Sequence, residues 1–154
     1  MFEEFKGDDG VVFNMNPAVR SPTGNCIEEL NCNWERATVC AFSIAQNVEQ
    51  KVNFLACMDD INADDPLDAG KKCLAKLSMT GDIASCYNGQ AGDDLLSAAS
   101  KIFNKAFPGR VAVPHVNVDG VQRQASAADI KTGICASNPG LKECSSAKAR
   151  KCYL

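Results

Sequence analysis

Val111-Ala112-Val113-Pro114-His115-Val116-Asn117-Val118-Asp119-Gly120-Val121-Gln122-Arg123-Gln124 is the stretch on which the fold turns. Valine recurs at alternate positions, which suits a pleated strand. Asp119-Gly120 then supplies the residue pair that a two-residue type I′ turn favours, and Val121 onward reads as the returning strand. The segment therefore predicts a β-hairpin. Ser126, three residues before Asp129, resembles a capping box that opens a last helix through Cys135. Asn138-Pro139-Gly140 stops that helix. Pro114 lacks a ladder donor, so it needs an edge, a strand start or a bulge. A cis proline ahead of a central strand is one solution, and an ordinary trans proline entering a strand is the other.

Upstream of the hairpin the pattern is mainly helical, over residues 28–107. From about 28 to 48, Ala37, Cys40, Ala41, Ile44 and Val48 make one apolar stripe, and a second helical stretch follows with Val52, Leu55 and Ala56 in phase. Asp65-Pro66 predicts a capped helix over 66–77. Asp93 and Asp94 open a helix whose Leu95, Ala99, Ile102 and Ala106 share a face, with Gly81, Gly89 and Gly92 punctuating the approach. At the other end, residues 1–7 read as the end of a helix closed by Gly7. Val11-Val12-Phe13-Asn14-Met15 reads as a short buried strand. The 141–154 tail is basic and holds two cysteines. Strand, helices, hairpin and last helix, in that order, match the second part of a thioredoxin fold carrying a helical insertion. The expected class is therefore α/β (α+β), in a single domain over 1–154.

The chain has 154 residues, 45% of them hydrophobic and 23% charged, and a net charge of −3. That suits one folded domain and argues against disorder. The charge argues against a nucleic-acid partner, because no basic excess is present. No apolar run approaches the roughly 18 residues of a membrane span. Nine cysteines are the abnormal feature: Cys26, Cys32, Cys40, Cys57, Cys73, Cys86, Cys135, Cys144 and Cys152. None forms a C-x-x-C, and His115 is the sole histidine. A zinc knuckle needs ligands roughly two to four residues apart, so a metal is not expected. Nor is any cofactor. The stronger reading is a structural disulfide framework in an oxidising compartment. The weaker one is a set of ordinary buried cysteines in a reducing cell. Nine is odd, so one thiol is unpaired, bonds another chain, or has its partner outside this sequence. The N-terminus carries no signal peptide, which points to a missing leader or a processed form.

The cysteine order resembles that of the gamma-interferon-inducible lysosomal thiol reductase family. Cys26-Ile27-Glu28-Glu29-Leu30-Asn31-Cys32, continuing to Cys40, resembles the family's three-cysteine signature. Phe54-Leu55-Ala56-Cys57-Met58 is similar to its Cys-Met helix end. Cys86-Tyr87-Asn88-Gly89-Gln90-Ala91-Gly92-Asp93-Asp94-Leu95 is similar to its C-x-x-G-x-x-G-x-x-L segment. Val113-Pro114-His115-Val116-Asn117-Val118-Asp119-Gly120 resembles its V-P-x-V-x-V-x-G strand and turn, and Lys151-Cys152-Tyr153 its tail. The resemblance spans about residues 11–154. It implies a thioredoxin-like fold and a proline loop, Val113-Pro114-His115, that offers backbone to a bound peptide.

The departures decide the expected function. Ile27-Glu28-Glu29 stands where the family has Gln-His-Gly, one residue shorter. The first strand and the C-x-x-C are absent from this chain. That dithiol performs the family's chemistry, its first thiolate attacking and its second resolving. No catalytic residue is therefore assigned. The expectation is a non-catalytic, disulfide-stapled binding module or accessory subunit, with a protein partner covering the sheet edge that the missing strand exposes. The alternative is an incomplete sequence of an active thiol–disulfide reductase, so enzyme status stays open between the two. His115 is read as a partly exposed strand residue, with tuning of a nearby thiol as its functional reading. Trp34 is read as core packing rather than ligand stacking.

Overall fold

A computed structural model describes residues 2–19, 32–108 and 114–145. In chain order its elements are α1 (Phe2–Phe5), α2 (Asn33–Ile44), α3 (Val48–Asp60), α4 (Pro66–Lys76), α5 (Ile83–Asn88), α6 (Gln90–Ala106), β1 (Val116–Val118), β2 (Val121–Arg123), α7 (Ala127–Ser137) and α8 (Lys142–Ser145). The fold is mixed and rich in helix, with one two-stranded antiparallel sheet. The chain divides into two compact units. A helical unit runs from Asn14 to Arg110. An end unit joins Met1–Phe13 to Val111–Leu154.

Local chemistry sets most of these boundaries. Asn47 caps α3 by accepting from the Gln50 amide at 2.9 Å, Asp65 caps α4 from Asp68 at 2.7 Å, and Asp82 caps α5 from Ser85 at 2.9 Å. Each satisfies a backbone donor that the helix itself cannot pair. Ser126 caps α7 from Asp129 at 3.2 Å. The Asp129 carboxylate reaches back to the Gln124 amide at 2.7 Å, one variant of the predicted box. The hairpin turn is as the sequence predicts. Asp119 (φ 48°) and Gly120 (φ 80°) are both left-handed, and Val118 pairs with Val121, Asn117 with Gln122 and Val116 with Arg123.

In the helical unit, Cys40, Phe42, Phe54, Cys57, Cys73, Leu74, Met79 and Ile83 form the main core. Val19, Cys32, Val39, Leu96 and Ala99 form a second cluster. In the end unit, Phe5, Ile134 and Cys144 are buried, with Val11, Phe13, Val118, Ile130 and Leu141 packed around them.

Three local expectations need correction. Residues 11–15 are extended but form no ladder, and Val12 is 81% exposed. Val11, Phe13 and Met15 are half-buried while Val12 and Asn14 are not. The alternation is that of extended backbone, yet a strand also requires a neighbour, and among the described residues the sheet contains only β1 and β2. The long helical stretch from 28 breaks at Ala45, so Val48 starts α3 rather than ending α2. In α6 the buried face is Gly92, Leu96, Ala99, Ser100 and Phe103, while Ile102 is 51% exposed and Ala106 is exposed. The stripe is rotated because a glycine, which carries no hydrophobic signal, marks the closest approach. Among the described residues no helix is long and apolar enough to cross a membrane.

Candidate functional site

The candidate site of the end unit lies at the start of the hairpin. Pro114 is exposed in a bend just ahead of β1, where its missing N–H costs no ladder bond. His115, half-buried, follows it. Val113 lies outside the described residues. The hairpin rests on α7. A Cβ added at Gly133 would come 3.2 Å from Val118 Cγ2 and 2.8 Å from Arg123 Nε, so strand and helix meet at near-backbone distance. Among the described residues each strand has a single neighbour, and Val121 on β2 is 54% exposed.

The cysteines are fasteners throughout the described residues. Cys40–Cys86 ties α2 to α5, Cys57–Cys73 ties α3 to α4, and Cys135–Cys144 ties α7 to α8. Cys32 is disulfide-bonded as well. Cys26 and Cys152 lie outside the described residues. No thiolate nucleophile stands among the described cysteines. Among those residues, no group of His, Cys, Asp and Glu is gathered so as to hold a metal ion.

The most organised polar arrangement of the helical unit was not singled out in the sequence. Arg36, on α2, donates from Nε to the Tyr87 carbonyl and from Nη2 to the Gly89 carbonyl at 3.1 Å. Its Nη2 also pairs with Asp93 Oδ1 on α6, both side chains being largely buried. That oxygen takes no hydrogen bond of ordinary geometry, so the guanidinium's charge holds it in place. The guanidinium lies 5.8 Å from the Tyr87 ring centre. Burial raises the Tyr87 hydroxyl above its ordinary pKa and the Asp65 charge adds to the rise, while Arg36 opposes it.

This corner explains the spacing of the glycine segment. A Cβ at Gly89 would lie 2.7 Å from the Ser85 carbonyl oxygen. At Gly92 it would lie 2.6 Å from the Cys86 carbonyl oxygen and 2.9 Å from Arg36 Nε. With Cys86 disulfide-bonded to Cys40 of α2, the α5–α6 corner closes around Arg36 at two positions that admit no side chain. The available signal was an arginine inside an apolar stripe together with an aspartate directly after the second glycine. The segment is architectural, which makes Gly92→Ala a sharp test. Helix propensity alone favours alanine by about 1 kcal/mol. The close approach instead predicts destabilisation by about 1–3 kcal/mol, as overpacking does, read from denaturant unfolding. A stabilised variant would contradict the crowding.

Trp34 departs from the expected core packing. It is 42% exposed in the first turn of α2, while Ala37, Cys40 and Ala41 turn inward.

Compared with protein-family models, with curated proteins and with solved structures, the chain matches none. Disulfides join α2 to α5, α3 to α4 and α7 to α8, and a proline is exposed at the mouth of the hairpin.

Proposed function

We propose that this chain is a thioredoxin-like protein, similar to the gamma-interferon-inducible lysosomal thiol reductases but without a redox dithiol, that acts as a non-catalytic binding or accessory subunit. The observation that carries this reading is that every described cysteine is committed to a disulfide in a chain containing no C-x-x-C. Chain order lends further support. The end unit collects a helix end, an extended segment, a hairpin and α7, and the helical unit interrupts it as an insertion would. Pro114 and His115, with Val113, supply the peptide-facing loop, and the partner is a protein that pairs with the hairpin edge. Three intramolecular disulfides are consistent with an oxidising compartment.

The test is insulin reduction by this 154-residue chain in the presence of a dithiol. The expected rate equals that of the dithiol alone. A clear acceleration would show that a reactive cysteine pair works in this chain and would overturn the non-catalytic reading.

A further inference from the structure

We propose that Cys135–Cys144 is a redox latch on the end unit, which a dithiol reductant opens while the helical unit stays closed. The inference goes beyond the binding role and stands on the packing of the end unit alone. Its buried centre is small: among the described residues its buried hydrophobic side chains are Cys144, Phe5 and Ile134. Cys144 arrives there on α8, of which residues 142–145 are described. The Cys144 and Ser145 amides both donate to the Leu141 carbonyl, and the Leu141 amide donates to Asn138. These bonds are local to the segment. A helix shorter than about 12–15 residues is marginal by its own hydrogen bonding. The disulfide to α7 is the covalent tie that keeps α8 docked, with Leu141 resting over Gly10, where an added Cβ would lie 3.3 Å from Leu141 Cδ2.

The other two described pairs are held differently. Cys40, Cys57 and Cys73 lie within the main helical core, surrounded by Phe42, Phe54, Leu74, Met79 and Ile83. Helices of 12, 13 and 11 residues carry them, and half-buried Cys86, on the six-residue α5, packs against the same core. If such a pair is reduced, packing keeps its two thiols side by side, and the disulfide re-forms against the reductant. Reduced Cys135 and Cys144 separate as α8 undocks, so re-formation is weaker.

The exchange begins at the more accessible sulfur, that of half-buried Cys135. A dithiol's thiolate attacks Cys135 Sγ, the sulfur–sulfur bond breaks, and Cys144 leaves as a thiolate that takes up a proton. The reductant's second thiol then displaces Cys135. Two electrons and two protons have passed to the cysteines, and the dithiol has become a cyclic disulfide. Loss of α8 uncovers Phe5 and Ile134, turning the end unit's core into an apolar surface.

The experiment exposes the full chain to graded dithiothreitol, traps thiols with N-ethylmaleimide and maps them by mass spectrometry. Hydrogen exchange is measured at each concentration. Half-labelling of Cys135 and Cys144 is expected at a dithiothreitol concentration at least about tenfold below that for Cys40, Cys86, Cys57 and Cys73, a ratio that one buried side chain's worth of holding energy supplies. At that step the amides of residues 141–145 lose protection while those of α2 and α6 keep theirs. Simultaneous opening of all three pairs, later opening of Cys135–Cys144, or continued protection of 141–145 once both cysteines are labelled would each overturn the latch.

Discussion

Replacing Cys40 and Cys86 together by alanine should lower the unfolding free energy of the protein by about 4 kcal/mol. The estimate follows from chain entropy. The disulfide spans 46 residues, and a cross-link over so long a loop removes many conformations from the unfolded chain. Cys57–Cys73, at 16 residues, and Cys135–Cys144, at 9, restrict it less. Both cysteines of the first pair also belong to the surroundings of the main core, Cys40 being fully buried, so the substitution removes packed sulfur as well. For a domain of this size, 4 kcal/mol is a large share of the usual 5–15 kcal/mol margin and corresponds to a fall in melting temperature of roughly 8–16 °C. Thermal and denaturant unfolding of the purified variant measure it. A loss under about 1 kcal/mol would mean that the cross-link restricts the unfolded chain far less than its loop length implies.

Arg36→Met should cost about 3 kcal/mol. Methionine roughly fills the aliphatic space but supplies no charge. Asp93 is then left largely buried without its cation, and the Tyr87 and Gly89 carbonyls lose their side-chain donor. The remaining exposure of both partners, 17% and 22%, trims the value from that of a fully buried pair. Asp93→Leu added to Arg36→Met should recover part of the loss, since it removes the stranded carboxylate. Denaturant midpoints around this double-mutant cycle read the coupling. An Arg36→Met variant within about 0.5 kcal/mol of the wild type would reduce the corner to a surface ion pair.

What the sequence made legible follows how local each determinant is. The Asp119-Gly120 turn, the caps at Asp65 and Ser126 and four of the five helices between 33 and 106 depend on residues a few positions apart, and the structure bears them out, whereas α5 lies where the glycines suggested only a break. Determinants that depend on a distant neighbour were misread. Residues 11–15 have strand chemistry but no paired strand among the described residues. The buried face of α6 is set by Gly92 against Arg36, 56 positions away in the chain, and neither residue signals burial by its hydrophobicity. Cysteine pairing is likewise a product of tertiary placement, so spacing left it open and the fold supplied it. At the hairpin mouth, Pro114 stands ahead of β1 as its missing donor favours, His115 precedes the strand rather than lying in it as the sequence suggests, and Val113 lies outside the described residues.

The end unit joins residues 1–13 to residues 111–154, and that separation in sequence imposes a timetable on biosynthesis. When Phe5 leaves the ribosome, Ile134 and Cys144, between which it will be buried, have not been translated. At about 5–20 residues per second, those first residues wait on the order of ten seconds for the hairpin and α7 to appear. The stretch made in the meantime can collapse on its own short-range contacts. Phe5 thus stays an unsatisfied aromatic until residues 134–144 have been made, a natural handle for a chaperone in the meantime.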